Sequence, residues 1–273
     1  MTMETIPEYG IKKCIYKDVP WSNLWSDPEA WERLNLSKDY ISYFTDWKEE
    51  SMTSVWTGVR HGNADTGYND VKNLGYRELC DATWQGGSLT EKTHPVPSRS
   101  SEPCVSSGFG MWNEKIYHFK PDQPPSSDGD EIQSEFFVKK EDLPNAMRDL
   151  YAVADQFRDL VQISEIRGIA ADEINLSPAQ DFDVYGIHFT WVHDFEQIYK
   201  TAAPIVQDVL TKYDYRVHWG KFFHYRKEIL NTHEKGRKWI YDNAKARFVN
   251  CFIKRVFFDA EDCKREPFSN YEM

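Results

Sequence analysis

The stretch IQSEFFVKKEDLPNAMRDLYAVADQFRDLVQISEIR, Ile132 to Arg167, decides the fold. Its opening alternates, with Ile132, Ser134, Phe136 and Val138 on one side and Gln133, Glu135 and Phe137 on the other, which is the period of a strand. From Leu143 the period lengthens. Leu143, Met147, Leu150, Ala154, Phe157 and Leu160 recur at helical spacing, and Asp142 and Pro144 are placed to start the helix. Val161–Arg167 (VQISEIR) then alternates again. Working outward, a loop ends near Asp183 and Val184–Val192 reads as a second apolar strand. A helix is expected from Asp194 to Tyr213, with Phe195, Ile198, Ala202, Ile205, Val209 and Leu210 on one face and Pro204 kinking it. Tyr215–Lys221 reads as the last strand. The order β-α-β-β-α-β predicts an α+β fold with a ferredoxin-like core, an antiparallel sheet with both helices on one face. The opposite face is then free for a ligand or a partner domain.

Texture divides the chain into 1–130, irregular and rich in turns and aromatics, the regular core at 131–222, and a C-terminal extension at 223–273. The 273 residues carry a net charge of -11, which disfavours binding to nucleic acid or to an anionic membrane surface. Aromatic residues make up 15% of the chain, so it has the means to bury a core. No apolar run approaches the roughly 20 residues needed to span a bilayer. Met1 to Gly10 has no apolar stretch of the secretory kind, so a cytoplasmic protein is expected. The five cysteines, Cys14, Cys80, Cys104, Cys251 and Cys263, are scattered and odd in number. They are expected as reduced thiols, and no metal site is read from them.

Strand parity assembles a candidate site on the free face. Glu165 and Arg167 point the same way, as do His188 and Thr190, while Ile187, Phe189 and Trp191 form the apolar side of their strand. Arg216, His218 and Lys221 add cations and hydrogen-bonding groups near the end of the last strand. Such a set suits a polyhydroxylated ligand, with carboxylate accepting from hydroxyls and Arg and Lys donating. A half-solvated sheet face also carries polar residues for no other purpose than solvation. Gly108-Phe109-Gly110 is an isolated pair of glycines and no nucleotide loop.

The phrases holding these residues are SEIRGIAADEINLSPA (Ser164 to Ala179), HFTWVHD (His188 to Asp194) and HWGKFF (His218 to Phe223). In the same order come YFTDW (Tyr43–Trp47), HPVP (His94–Pro97), the Cys104 region, WNEKIYHF (Trp112–Phe119) and EIQSEFFV (Glu131–Val138). Over roughly residues 12 to 258 the chain resembles the substrate domain of alditol (xylitol) oxidases. These are relatives of D-arabinono-1,4-lactone oxidase in the vanillyl-alcohol-oxidase flavoprotein group. The resemblance implies a cap domain of that type, and oxidation of a polyol or sugar lactone by hydride transfer to FAD, with oxygen as acceptor and hydrogen peroxide as product. It implies that Glu165, Arg167 and Thr190 bind substrate and that Lys221 joins Arg167 at the reacting hydroxyl. His188 is the candidate to take the proton.

The departures from the family carry equal weight. The likeness starts inside the cap region, so the chain alone is not expected to bind FAD, and a separate FAD-binding domain or subunit is the implied partner. Asn243, Ala244 and Ala246 stand where the family's closing segment usually has Asp, Pro and Gly. Three readings stay open: a fragment of a whole oxidase, one subunit of a split enzyme, or a flavin-free polyol-binding module.

Overall fold

The computed structural model describes residues 5–25, 27, 29–48, 50–62, 71–96, 105–116, 118, 131–243 and 249–257. The Pro121–Gly129 cluster, Cys104, Cys263, Ala244 and Ala246 lie outside the described residues. The strands are β1 (Tyr9–Pro20), β2 (Tyr40–Thr45), β3 (Ser51–Gly62), β4 (Thr83–Trp84), β5 (Gly87–Thr90), β6 (Lys92–Thr93), β7 (Val105–Ser106), β8 (Gly108–Met111), β9 (Ile132–Lys139), β10 (Val161–Ile169), β11 (Val184–Trp191) and β12 (Arg216–Val217). Apart from the β6-β7 pair, they form one 10-stranded sheet in the order β12-β9-β11-β10-β2-β3-β1-β5-β4, with β8 also on β1.

The β-α-β-β-α-β order is present. Its four strands lie side by side as fourth, first, third and second, and every pairing among them is antiparallel. The first helix is shorter than its periodicity suggested: Leu143–Ala152 is α-helical, and two 3-10 turns carry the chain on to Leu160. The second runs Phe195–Gln197, passes through a π turn at Ile198–Ala202, and resumes at Ala203–Leu210. Pro204 lacks the N–H that would continue the ladder, and the register change sits directly before it.

Both helices cover the face bearing Phe136, Val138, Ile166, Ile187, Phe189 and Trp191. Phe189 lies parallel to Trp191 at 4.8 Å and to Trp47 at 5.8 Å, with Phe157 edge-on at 6.0 Å. Full burial of each such side chain is worth about 2–3 kcal/mol. Ser134 and Ser164 occupy apolar positions of the alternation and are fully buried. They are satisfied by indole donors, Trp191 Nε1 to Ser134 Oγ at 3.0 Å and Trp47 Nε1 to Ser164 Oγ at 2.7 Å.

Three expectations are corrected. The described part of 1–130 is not irregular: β1 and β3 are long, and β2 pairs with β10 through Ser42↔Arg167 to Thr45↔Ser164, so the sheet runs unbroken from one half into the other. The last strand is only Arg216–Val217, because the chain turns at once into a loop. The cysteines are not all free thiols. Cys14 and Cys80 form a disulfide with Cα atoms 5.8 Å apart, and Cys251 is disulfide-bonded as well. Disulfides persist in oxidising surroundings, so cysteine usage no longer argues for the cytoplasm. Among the described residues no helix is long and apolar enough to cross a membrane.

Candidate functional site

The face opposite the helices carries Gln133 and Glu135 on β9, His188 and Thr190 on β11, and Glu165 and Arg167 on β10. Strand register places His188 opposite both Glu135 and Glu165, and Gly186 opposite Arg167. Lys221 comes from the loop after β12, and its place is set by backbone hydrogen bonds. His218 N donates to Glu135 O at 3.0 Å, Lys221 N to His218 O at 3.0 Å, and Phe222 N to Gln133 O at 2.8 Å. The turn is thus fastened at both ends to β9.

Glu135 draws the predicted residues together. Its Oε1 accepts from Arg167 Nη2 at 2.9 Å, and its Oε2 accepts from Lys221 Nζ at 2.7 Å. Glu165 Oε1 lies 2.7 Å from His118 Nε2 and 3.8 Å from Arg167 Nε. The Glu135 and Glu165 side chains are 4% and 8% exposed, whereas Lys221 and Arg167 are 19% and 37% exposed. Carboxylates therefore form the floor and cationic donors the rim. A shallow cavity of about 340 Å3 opens beside them, between Glu135, Arg167, His218 and the loop carrying Ser177 and Ala179. That is the small end of the range for ligand sites. Thr190 lies on the same face, paired across the strands with Gln133.

Burial alone would raise the pKa of Glu165, but the hydrogen bond and charge of His118 and the charge of Arg167 reverse this and hold it at about 2. Burial opposes ionisation of Glu135 too, and Arg167 and Lys221 outweigh it, so its pKa is also lowered. His188 goes the other way: burial, then the Lys221 charge, push its pKa down to about 4, so the ring is neutral at pH 7. Its tautomer follows from its neighbours. Gln133 Nε2 donates to the Glu131 carboxylate, which turns Gln133 Oε1 toward His188 Nε2 at 3.2 Å. The His188 proton is therefore on Nε2 and its lone pair on Nδ1.

This face is not open as expected. Ile163, Phe44, Trp56 and Ile15 form a second apolar cluster under Val96 and Val105. His118 rests on Trp56 and Phe44, its ring 5.0 and 5.9 Å from theirs. Arg216 does not join the site. It donates to the carbonyls of Pro178, Gln180 and Thr232 at 2.7 to 3.0 Å and stacks on Phe182. Sequence reasoning assigned no role to Glu135, Gln133 or His118. The alternation of IQSEFFV already put Glu135 and Gln133 on one face, whereas nothing local marks His118, which reaches Glu165 across 47 positions.

Among the described residues neither glycine pair forms a phosphate-binding loop. Gly108 and Gly110 lie within β8, and the helix after them, Trp112–Lys115, is a single turn. Glu114 Oε2 accepts from Met111 N at 3.2 Å at its start, putting a carboxylate where a pyrophosphate would need free amides. Gly86 sits in the β4-β5 turn against Pro20, and Gly87 opens β5 against Val19.

No protein-family model matches the chain. The resemblance read from the sequence is borne out by a curated relative, the alditol oxidase of a Streptomyces sp., 29% identical over 226 residues. The match covers 82% of this chain and 49% of that protein, so the chain spans about half the length of the relative. Among solved structures, FgChi7B superposes on 88% of this chain and 54% of its own, with a TM-score of 0.49 and 10% identity. A glycopeptide hexose oxidase complexed with teicoplanin does so over 77% and 42%, with a TM-score of 0.39 and 10% identity. At those scores neither structural likeness carries an argument.

Proposed function

We propose that this chain is the substrate-binding part of an FAD-dependent oxidase acting on CH–OH groups of polyols or sugar lactones, with its ferredoxin-like core serving as a vanillyl-alcohol-oxidase-type cap domain. The observation that carries the reading is the meeting of Arg167 and Lys221, from SEIR and HWGK, on the two oxygens of one buried carboxylate beside Glu165 and His188. On this reading Glu165 and Thr190 hold substrate hydroxyls. Arg167 and Lys221 stabilise the negative charge that grows on the reacting oxygen, an effect strengthened in a water-poor site. His188 offers its Nδ1 lone pair to a hydroxyl. With its pKa at about 4, it takes a proton only from an oxygen that the two cations have already acidified. The flavin supplies the redox chemistry of such an enzyme and is held by a separate FAD-binding domain or subunit.

The test is assembly. The chain alone should be colourless and inert toward oxygen. Combined with an FAD-binding half from an alditol oxidase, it should give a yellow complex that forms hydrogen peroxide from xylitol. In that complex Arg167→Ala should lower turnover more than it raises KM, because its charge acts mainly in the transition state. Stoichiometric FAD on the chain alone, or no complex and no effect of xylitol on the His188 ring signals, would overturn the reading.

A further inference from the structure

We propose that Glu135 sets the charge specificity of this face: by pairing with both Arg167 and Lys221 it takes up their charge, admitting neutral polyols and turning away the matching aldonates. The proposal rests on the polyol reading and adds the residue that selects among sugar-derived ligands. Arg167 and Lys221 both pair with Glu135, while the second buried carboxylate, Glu165, is paired with His118 and lies 3.8 Å from Arg167. A carboxylate ligand would bring a third negative charge within a few ångströms of Glu135, in surroundings where such repulsion is little screened. A hydroxyl meets no such barrier. Glu135 accepts from Arg167 through Nη2, and a guanidinium has five N–H donors, so donors remain for a neutral ligand.

The seat of Glu135 is built rather than incidental. A Cβ at position 186 would stand 2.9 Å from Glu135 Oε1 and 3.0 Å from the Phe137 ring, so glycine there gives the carboxylate its space beside Arg167.

The experiment compares xylitol with xylonate by calorimetric or ligand-detected NMR titration of the full chain, at low salt, in wild type, Glu135→Gln and Glu135→Asp. The ratio of xylonate to xylitol affinity should rise about tenfold or more in Glu135→Gln and stay near wild type in Glu135→Asp, which keeps the charge. No rise in a folded Glu135→Gln, or equal binding of both ligands by wild type, overturns the proposal. Should wild type bind neither ligand while Glu135→Gln binds xylonate, the polyol reading fails and the charge gate stands. If Glu135→Gln does not fold, Glu135→Met, which fills similar space without charge, should raise the same ratio, and a folded variant without that rise overturns it.

Discussion

Glu165 stays charged in a nearly dry place, and that has a measurable cost and return. Its carboxyl sits at about 2 instead of 4.5, and tenfold in proton affinity corresponds to about 1.4 kcal/mol. The ionised group therefore contributes about 3 kcal/mol to folding at neutral pH. The sign follows from the direction. Because the folded-state pKa is depressed, the contribution is complete above the unfolded value of 4.5 and fades as pH falls toward 2, with about 1.5 kcal/mol left at pH 3. Glu165→Gln keeps a hydrogen bond to His118 but loses the charge. It should be about 3 kcal/mol less stable than wild type at pH 7, and the gap should narrow by about half at pH 3. Urea unfolding followed by tryptophan fluorescence at several pH values gives both numbers. A gap that does not change with pH, or no gap at all, would refute the account of Glu165 as a carboxylate held ionised by His118 and Arg167. His118→Ala should push the acid-sensitive range of wild type upward, since Glu165 then loses its nearest donor.

Two further outcomes follow from the same geometry. The His188 ring should titrate near 4 by NMR; since its neutral form is the folded one, its contribution to stability is lost as pH falls from 6.5 to 4, and Lys221→Met should bring the titration back up. Reduction of Cys14–Cys80, which closes a separation of 66 residues, should cost about 4 kcal/mol by loop entropy, read as a lower unfolding midpoint with reductant; peptide mapping that finds both thiols free would refute the bond.

The central fold was legible because its signals are local. Period-2 and helical spacing gave the four strands and two helices, and parity placed Glu165 with Arg167 and His188 with Thr190. The N-terminal strands were not legible. YGIKKCIYKDVP of β1 puts Lys12, Lys13, Lys17 and Asp18 among its apolar residues, which hides the alternation. Lys13 is nonetheless buried, its ammonium 4.4 Å from the Trp56 ring centre and hydrogen-bonded to Lys115 O. A strand covered on both faces has no polar side to reveal its period. Glu135 was visible as a strand residue and invisible as a bridge, because its partners come from β10 and from the loop after β12.

Strand β10 bears Glu165 and Arg167 and is hydrogen-bonded along both edges, by β11 on one side and by β2 on the other. The stretch that looks self-sufficient in the sequence therefore borrows one flank of the strand bearing Glu165 and Arg167 from the first fifty residues. Excised as a module, residues 131–273 would present Ser164 to Arg167 as a bare edge with Ile163 and Ile166 beside it, a template for pairing with another copy. Gene fusion, shuffling or permutation can move this face between proteins only by carrying the N-terminal strands with it.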